Sequence, residues 1–271
     1  MRNRVTITIK EDLLEQVDRL VDGLTIRSRS QAIEYLLSKF LSDFKLKNAL
    51  VLAGGKDSRM FPLTKNKPKF ILRIKEKTLL EHVMDYINGF NVSNFFVYVD
   101  YFKEKIREEL NGINEYNVNF IESDKSKGTI EPLLRAKSFF KDTFLVVNGD
   151  TISSVNLNEM LLFHKKNKSI ATIALTTVSN PKDYGVAMLQ GDKVNEFKEK
   201  PKKEAGSYLV SAGYYIFEPE IFKYISREMK SMEKELFPKL AEKGLLYGYP
   251  FQGIYINVNT VEDFEKAKRI L

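Results

Sequence analysis

The residues whose types suit phosphate chemistry gather around two apolar runs. Leu50-Val51-Leu52-Ala53-Gly54-Gly55 carries a hydrophobic run straight into a glycine pair. Small residues at a strand end let backbone N–H groups approach an oxyanion. Arg59 and Lys69 follow, and two cations beside an amide-rich turn suit a polyphosphate. A second apolar run, Phe144–Val147, ends in Asn148-Gly149-Asp150, and a charged run over 196–204 contains Glu199-Lys200. Each piece has an ordinary reading too. Many strands end in a glycine turn, Arg59 and Lys69 read as solvated cations, Asp150 as a turn residue, and Glu199-Lys200 as one surface pair. The glycine pair is neither a dinucleotide fingerprint nor a P-loop.

Composition removes other chemistries. The 271 residues include no cysteine, which excludes disulfides, thiolate metal sites and cysteine nucleophiles and fits a reducing, cytoplasmic setting. No apolar run approaches the roughly 20 residues needed to span a bilayer, and Met1-Arg2-Asn3-Arg4 does not open a signal peptide, so no membrane association is expected. A net charge of +7 points to anionic partners, nucleic acid or phosphorylated ligands. The two histidines, His82 and His164, both fall on predicted helices and read as structural.

The elements that position these residues fall into two parts. Residues 4–10 alternate strictly, with Val5, Ile7 and Ile9 on one face and Arg4, Thr6, Thr8 and Lys10 on the other, which predicts a half-buried strand. Helices are expected over 11–22, with Leu13, Leu14, Val17, Leu20 and Val21 on one stripe, and over 29–44, with Ile33, Leu36, Leu37, Phe40, Leu41 and Phe44. Gly23 stops the first and Ser28 caps the second. One strand and two helices cannot bury their own apolar faces, and a segment this short makes a marginal core, so pairing of two copies through the strand is expected. Lys45-Leu46-Lys47 forms the junction, dividing the chain into 1–45 and 46–271. Beyond it strands and helices alternate, predicting an α/β sheet. Strands are expected near 48–53, 94–99, 117–121, 143–147, 170–177, 184–190, 193–199, 208–217, 245–249 and 254–258. Helices are expected near 78–88, 102–110, 129–140, 157–167, 219–227, 233–242 and 261–270.

Residues 1–45 resemble the ribbon-helix-helix family of DNA-binding proteins, through Arg4-Val5-Thr6-Ile7-Thr8-Ile9 and Ser28-Arg29-Ser30-Gln31-Ala32-Ile33. In that family a two-stranded ribbon enters the major groove of double-stranded DNA. The resemblance implies a homodimer in which Arg4, Thr6 and Thr8 read bases. The amides of Ser28, Arg29 and Ser30, with the Arg29 side chain, would hold a phosphate at the helix N-terminus. A plain dimerisation arm is the alternative. Acidic and basic residues nearly balance over this segment.

Residues 46–271 resemble the sugar-phosphate nucleotidyltransferases. Leu52–Thr64 with Pro68-Lys69, then Asn148-Gly149-Asp150, Asp183-Tyr184-Gly185-Val186, Phe197-Lys198-Glu199-Lys200-Pro201, Ser211-Ala212-Gly213-Tyr214-Tyr215, Leu236-Phe237-Pro238 and Asn257–Asp263 carry the resemblance in order. It implies a Rossmann-like, mixed and mostly parallel sheet. It also implies a reaction that joins a sugar 1-phosphate to a nucleoside triphosphate and releases pyrophosphate. The nucleophile is an ionised phosphate oxygen, so no general base is required, and anion neutralisation with in-line placement suffices. By resemblance Arg59 and Lys69 clamp the triphosphate, and Asp150 holds Mg²⁺, a hard cation that bridges phosphates. Lys200 binds the sugar phosphate, Glu199 and the Gly185 backbone take sugar hydroxyls, and Ala53, Gly54 and Gly128 lie against base and ribose, with Gly55 completing the phosphate loop.

The sequence departs from the family pattern at several of these places. The third loop glycine is Asp57, and Glu131 replaces the second glycine of Gly-Thr-Ala-Gly in Gly128-Thr129-Ile130-Glu131. Ser211 stands for the usual Asn. The second metal carboxylate matches Asn257 and the glycine after it matches Asn259. One negative charge is thereby lost from the metal site, which weakens divalent-ion binding. Two functions are therefore expected in competition: an active nucleotidyltransferase that also binds DNA, and a transcription regulator whose impaired enzyme domain senses a nucleotide or nucleotide sugar.

Overall fold

The computed structural model describes residues 4–43, 45–55, 58–124, 127–202 and 206–271, with residues 40–43 described by backbone alone. The expectations placed on Asp57, on Phe44 and on the side chains of Phe40 and Leu41 lie outside the described residues. The chain divides into two compact units, residues 1–45 and 46–271.

In the first unit α1 spans Glu11–Asp18 and α2 spans Arg29–Asp43. Ser28 caps α2: its Oγ accepts the Gln31 amide at 3.3 Å and its carbonyl accepts the Ala32 amide at 2.9 Å. The turn between the helices is built around Asp22, whose Oδ1 accepts the amides of Leu24, Thr25 and Ile26 at 2.8, 2.8 and 2.9 Å. Gly23 takes the left-handed φ of 74° that this turn needs. The strand expected over 4–10 does not form in the single chain; those residues are irregular. A strand needs a ladder, and one copy offers no partner. Val5, Ile7, Leu36 and Leu37 are accordingly exposed, while Val17 and Ala32 are buried.

In the second unit the strands are β1 (Asn48–Leu52), β2 (Arg73–Ile74), β3 (Lys77–Thr78), β4 (Asn94–Val99), β5 (Asn117–Glu122), β6 (Phe144–Asn148), β7 (Thr151–Ser153), β8 (Ala171–Thr177), β9 (Gly185–Gln190), β10 (Lys193–Glu199), β11 (Leu209–Phe217), β12 (Leu246–Pro250) and β13 (Tyr255–Asn257). The helices are α3 (Leu79–Asn88), α4 (Lys103–Leu110), α5 (Ile130–Ala136), α6 (Leu157–Lys166), α7 (Phe237–Glu242) and α8 (Val261–Ile270). Nine strands form one sheet in the order β5-β4-β1-β6-β11-β8-β12-β10-β9. β1, β4, β5 and β6 are mutually parallel, and β10 and β11 run against the rest. This is the mixed, mostly parallel α/β sheet that the resemblance implies. The fully buried Ala49-Leu50-Val51 explains why β1 lies centrally, covered on both faces.

The chain leaves β1 toward β4 and β5 on one side and then returns to β6 on the other. The carboxyl ends of β1 and β6 therefore flank a topological switch point, where open α/β sheets bind ligands. The Gly149 amide donates to the Leu52 carbonyl at 2.9 Å, closing the two strand ends together. A Cβ at Gly149 would lie 3.0 Å from that oxygen.

Two expected helices were altered by proline and by short turns. Residues 219–227 form only a 3-10 turn at Pro219–Lys223, and the segment expected as 233–242 is a π turn, Met232–Leu236, leading into α7. Pro238 lacks the N–H that would continue a regular helix through this point. The strand expected over 254–258 shortens to β13 and pairs with β7, outside the main sheet.

Both histidines are structural, as expected. His82 Nε2 lies 2.9 Å from the Ile74 carbonyl. His164 is fully buried, with Nδ1 2.8 Å from Thr172 Oγ1 and Nε2 3.2 Å from Glu218 Oε1. Lys165 Nζ also donates to Glu218 at 2.7 Å. Burial pushes His164 down, against the pull of Glu218. Burial alone would raise Glu218, but the hydrogen bonds from His164 and Lys165 and the Lys165 charge outweigh it and hold the carboxyl at about 2. Both native values lie below the unfolded ones, so the native state binds fewer protons and acid destabilises it. We expect melting temperature to fall as pH drops below about 6.5, as His164 resists protonation, and again below about 4.5, where the unfolded carboxyl takes up a proton that native Glu218 resists down to about 2. Glu218→Gln should flatten the lower step. An unchanged acid profile in this variant would remove the network from the stability account.

Candidate nucleotide-transfer site

The site is assembled from the ends of β1, β4 and β6, the β7–β13 pair and the start of α8. Lys69 lies in a short turn that packs on α3 and is buried. Its Nζ meets Asp150 Oδ2 at 2.5 Å, Asn259 Oδ1 at 2.7 Å and the Val258 carbonyl at 3.2 Å. Three oxygens suit the three N–H bonds of an ammonium. Arg59 Nη2 donates to the same Asn259 Oδ1 at 2.9 Å. The β7–β13 pairing, Asn257 opposite Thr151, and the Val258 amide on the Asp150 carbonyl at 2.9 Å bring 150 and 257–259 together. Thr260 and Asp263 then form a capping box on α8, and Asp263 Oδ2 also accepts the Asn259 amide at 3.2 Å, which fixes that residue's backbone.

A cavity of about 530 Å³ opens beside this cluster, lined by Arg59, Gly185, Glu199, Lys200, Glu233, Tyr255, Asn257 and Asn259 among others. Gly185 is required here, since a Cβ would come 2.4 Å from the Phe197 ring and 2.9 Å from Glu199 Oε2. Burial first, and the nearby Glu233 second, raise the Glu199 carboxyl above its ordinary range. Lys200 Nζ lies 3.8 Å from Glu199 Oε1 and remains half exposed at the cavity. Glu233 accepts the hydroxyls of Thr129 at 2.7 Å and Ser231 at 2.9 Å.

The loop after β1 is held from below. Asp100, just past the end of β4, accepts the Gly55 amide at 2.6 Å and the Tyr101 amide at 2.5 Å through Oδ1. Its Oδ2 is buried with no hydrogen-bond partner. A Cβ at Gly54 would lie 2.9 Å from that oxygen and 2.8 Å from the Tyr98 ring, so the glycine lets loop and carboxylate close together. Ala53 is buried and donates its amide to the Tyr98 carbonyl at 3.0 Å.

Gly128, expected against base and ribose, has a left-handed φ of 91°, and a Cβ there would come 2.1 Å from the Lys230 carbonyl. The close approach of that backbone alone accounts for the glycine. Glu131 points into a polar knot: Oε1 accepts from Arg135 at 2.9 Å and Ser123 at 3.0 Å, and Oε2 from Tyr98 at 3.0 Å. Burial favours its neutral form, but these donors outweigh burial and keep it ionised below the ordinary carboxylate range.

The structure thus joins Arg59, Lys69 and Asp150 through Asn259, and places Asn257, Gly185, Glu199 and Lys200 on the adjoining cavity. Ala53, Gly54 and Gly55 stand on the strand crest. Asp100 and Glu233 were missed. Asp100 carries one readable signal, an acidic residue directly after a buried strand beside β1. Glu233 carries none beyond its place in a charged stretch.

Mg²⁺ fits these residues with a single anionic ligand. Asn257 Oδ1 is buried and has no hydrogen-bond partner, an acceptor left open on the strand that pairs with β7, next in the chain to Asp150. Hard divalent ions take such oxygens. Among the described residues no group of three or more His, Cys, Asp or Glu could hold a metal.

In the first unit Arg4, Thr6 and Thr8 lie exposed on the irregular segment. Arg29 is bound bidentately to Asp18, Nε to Oδ1 at 2.6 Å and Nη2 to Oδ2 at 2.7 Å. Ser28 is occupied in capping, and Ser30 is exposed. Among the described residues no helix is long and apolar enough to cross a membrane.

Comparison with known proteins agrees with this geometry. Residues 48–271 match the nucleotidyl transferase family model, and residues 3–42 match that of the ribbon-helix-helix proteins of the copG family. A mannose-1-phosphate guanylyltransferase catalytic subunit beta from Danio rerio is 32% identical over 224 residues, covering 80% of this chain and 62% of that protein. A bifunctional protein GlmU from Methanococcus maripaludis is 33% identical over 218 residues, covering 78% of this chain and 51% of that protein. The chain thus spans between half and two thirds of the length of these relatives. In fold, it matches HddC from Yersinia pseudotuberculosis with a TM-score of 0.71 at 23% identity, covering 83% of this chain and 99% of that one. A UDP-glucose pyrophosphorylase solved with UDP-glucose matches at 0.70 and 20% identity, covering 83% and 98%. The chain belongs to the nucleotidyl transferase family and carries an N-terminal ribbon-helix-helix segment.

Proposed function

We propose that residues 46–271 form a sugar-1-phosphate nucleotidyltransferase and that residues 1–45 pair two copies on double-stranded DNA. The observation that supports the first half most is the Arg59–Asn259–Lys69–Asp150 cluster at the switch point, opening onto the 530 Å³ cavity. A phosphate oxygen of the sugar 1-phosphate attacks the α-phosphorus of the triphosphate, that oxygen–phosphorus bond forms, and the bond to pyrophosphate breaks. Arg59 and Lys69 neutralise the triphosphate and the departing pyrophosphate. Lys200 holds the sugar phosphate, and Glu199 and the Gly185 backbone take sugar hydroxyls at the cavity. Ala53 and Gly54 lie against base and ribose. Asp150 and Asn257 would hold Mg²⁺, which would supply positive charge to the phosphates when bound. Removing or chelating the metal is expected to suppress transfer more than triphosphate binding, since the two protein cations remain.

The exposed Val5, Ile7, Leu36 and Leu37 support dimerisation through the first unit. Its absence of cysteine partners well with a cytoplasmic setting where DNA and nucleotides meet. One observation favours a second reading, a nucleotide-sensing transcription regulator: Asn257 supplies a neutral oxygen where the family pattern has a carboxylate, while the Lys69 ammonium sits on the one carboxylate left. The test is nucleotide-sugar synthesis by the whole chain. Pyrophosphate release that requires both a nucleoside triphosphate and a sugar 1-phosphate supports transfer. Triphosphate binding without release for any pair supports the sensor, and no binding at all refutes both.

A further inference from the structure

The amide oxygen of Asn259 accepts from two cations on separate elements. Arg59 Nη2 lies 2.9 Å from it and Lys69 Nζ 2.7 Å. Both cations face the place where a triphosphate is read to bind, and like charges brought this close repel. Asp150 already sets one negative charge against Lys69, and a neutral acceptor between the two cations holds them together without adding a second. A carboxylate in the same place would neutralise them and compete with the incoming anion.

The backbone that carries this acceptor is fixed, because the Asn259 backbone N–H donates to Asp263 Oδ2 at 3.2 Å, in the capping box of α8. The Lys69 side chain is 8% exposed and fixed on Asp150 and the Val258 carbonyl as well. Arg59 is the more exposed partner of the two. Holding it on the Asn259 oxygen reduces the rotamer entropy lost when it meets a phosphate.

We propose that Asn259 is a positioning residue that yokes Arg59 to Lys69 and presents them as one pre-set cationic pair to a polyphosphate. The assignment rests on the reading of this site as a triphosphate site. Asn259 touches no reacting atom; it acts through the two cations. Its contribution is to ground-state anion capture, so it needs no metal.

The test uses the full chain with inorganic tripolyphosphate as probe, in the presence of a chelator, followed by titration calorimetry. Asn259→Ala keeps the backbone amide on Asp263, so α8 retains its cap, and the variant is expected to bind about tenfold more weakly, the scale of one hydrogen bond to a charged group. Asn259→Asp is expected to bind more weakly than Asn259→Ala, because its carboxylate competes with the probe for the same cations. A double-mutant cycle separates positioning from general structure. Arg59→Ala should cost less in the Asn259→Ala background than in the wild-type chain, since an unyoked arginine contributes less. Additive losses, or an Asn259→Asp chain that binds as tightly as wild type, overturn the assignment. Wild-type binding with both variants unaffected overturns it while leaving the triphosphate site standing. No binding by the wild-type chain overturns both together. Should Asn259→Ala fail to fold in a melting control, Asn259→Asp against wild type decides alone.

Discussion

Replacing Lys69 by methionine is expected to abolish most triphosphate capture and to make the protein respond to Mg²⁺ as the wild type does not. The ammonium sits 2.5 Å from Asp150 Oδ2, and both side chains are largely shielded, at 8% and 17% exposure. Methionine keeps the length of the side chain and removes the charge. Asp150 is then left as an uncompensated, mostly buried carboxylate, a change that costs about 3–5 kcal/mol when one partner of such a pair is removed. In a unit of this size that corresponds to a fall in melting temperature of about 6 °C or more. Mg²⁺ can then restore the missing positive charge at Asp150, so melting should rise with Mg²⁺ in Lys69→Met much more than in wild type. Transfer should fall about 100-fold or more, the scale for removing one donor that stabilises transition-state charge. Equal Mg²⁺ responses in the two proteins would show that Lys69 and the metal do not share Asp150.

The second large effect is expected in the first unit. Replacing Arg4, Thr6 and Thr8 together by alanine should reduce binding at the best DNA site to the level of non-specific sequence. Each base contact of this kind contributes about 1–3 kcal/mol of discrimination. The three residues are exposed and support no packing in the single chain, so folding and helix content should not change. Arg29→Ala should act differently. Its guanidinium is bound to Asp18 on the protein surface, an exposed pair that contributes little to stability. Its loss is therefore expected to weaken all sequences modestly and evenly, as a phosphate contact would. A gel-shift titration over several salt concentrations measures both, and undiminished specific affinity in the triple variant would reject the ribbon as the reading element.

What could be read from the sequence followed from periodicity and burial. β1 and β6 announce themselves as short apolar runs ending in Gly-Gly and Asn-Gly-Asp, and the parallel sheet follows from their alternation with amphipathic helices. β2, β3 and β7 span two or three residues each, too few for a period to show. The pairing of β7 with β13 was therefore hidden, although it is what carries Asn257 and Asn259 to Asp150. The strand over 4–10 has a clear period of two, yet a period specifies a face and not a partner, and the single chain leaves it unpaired. In the site, Arg59 and Lys69 were legible as cations after a glycine turn. That they converge on one amide oxygen was not, because Asn259 lies far along the chain and stands where the family pattern has a glycine, which has no side chain to accept. Asp100 showed only as an acidic residue after a buried strand, since its role depends on the glycine loop closing over it from the neighbouring strand.

The most direct measurement is nucleotide-sugar formation by the wild-type chain and by Asn257→Asp, side by side, across a range of Mg²⁺ concentrations. Asn257 Oδ1 is a buried acceptor without a hydrogen-bond partner on the strand that pairs with β7, and Lys69 already occupies the one carboxylate, Asp150. The account predicts transfer in the wild type that needs both substrates and is slower than the ordinary enzyme range of about 1–1000 per second. It predicts that Asn257→Asp raises the rate or lowers the Mg²⁺ needed, because a second negative ligand strengthens metal binding. Wild-type turnover within that range, with no gain from Asn257→Asp, would contradict the weakened metal site. No nucleotide sugar from either protein with any substrate pair would contradict the transferase itself.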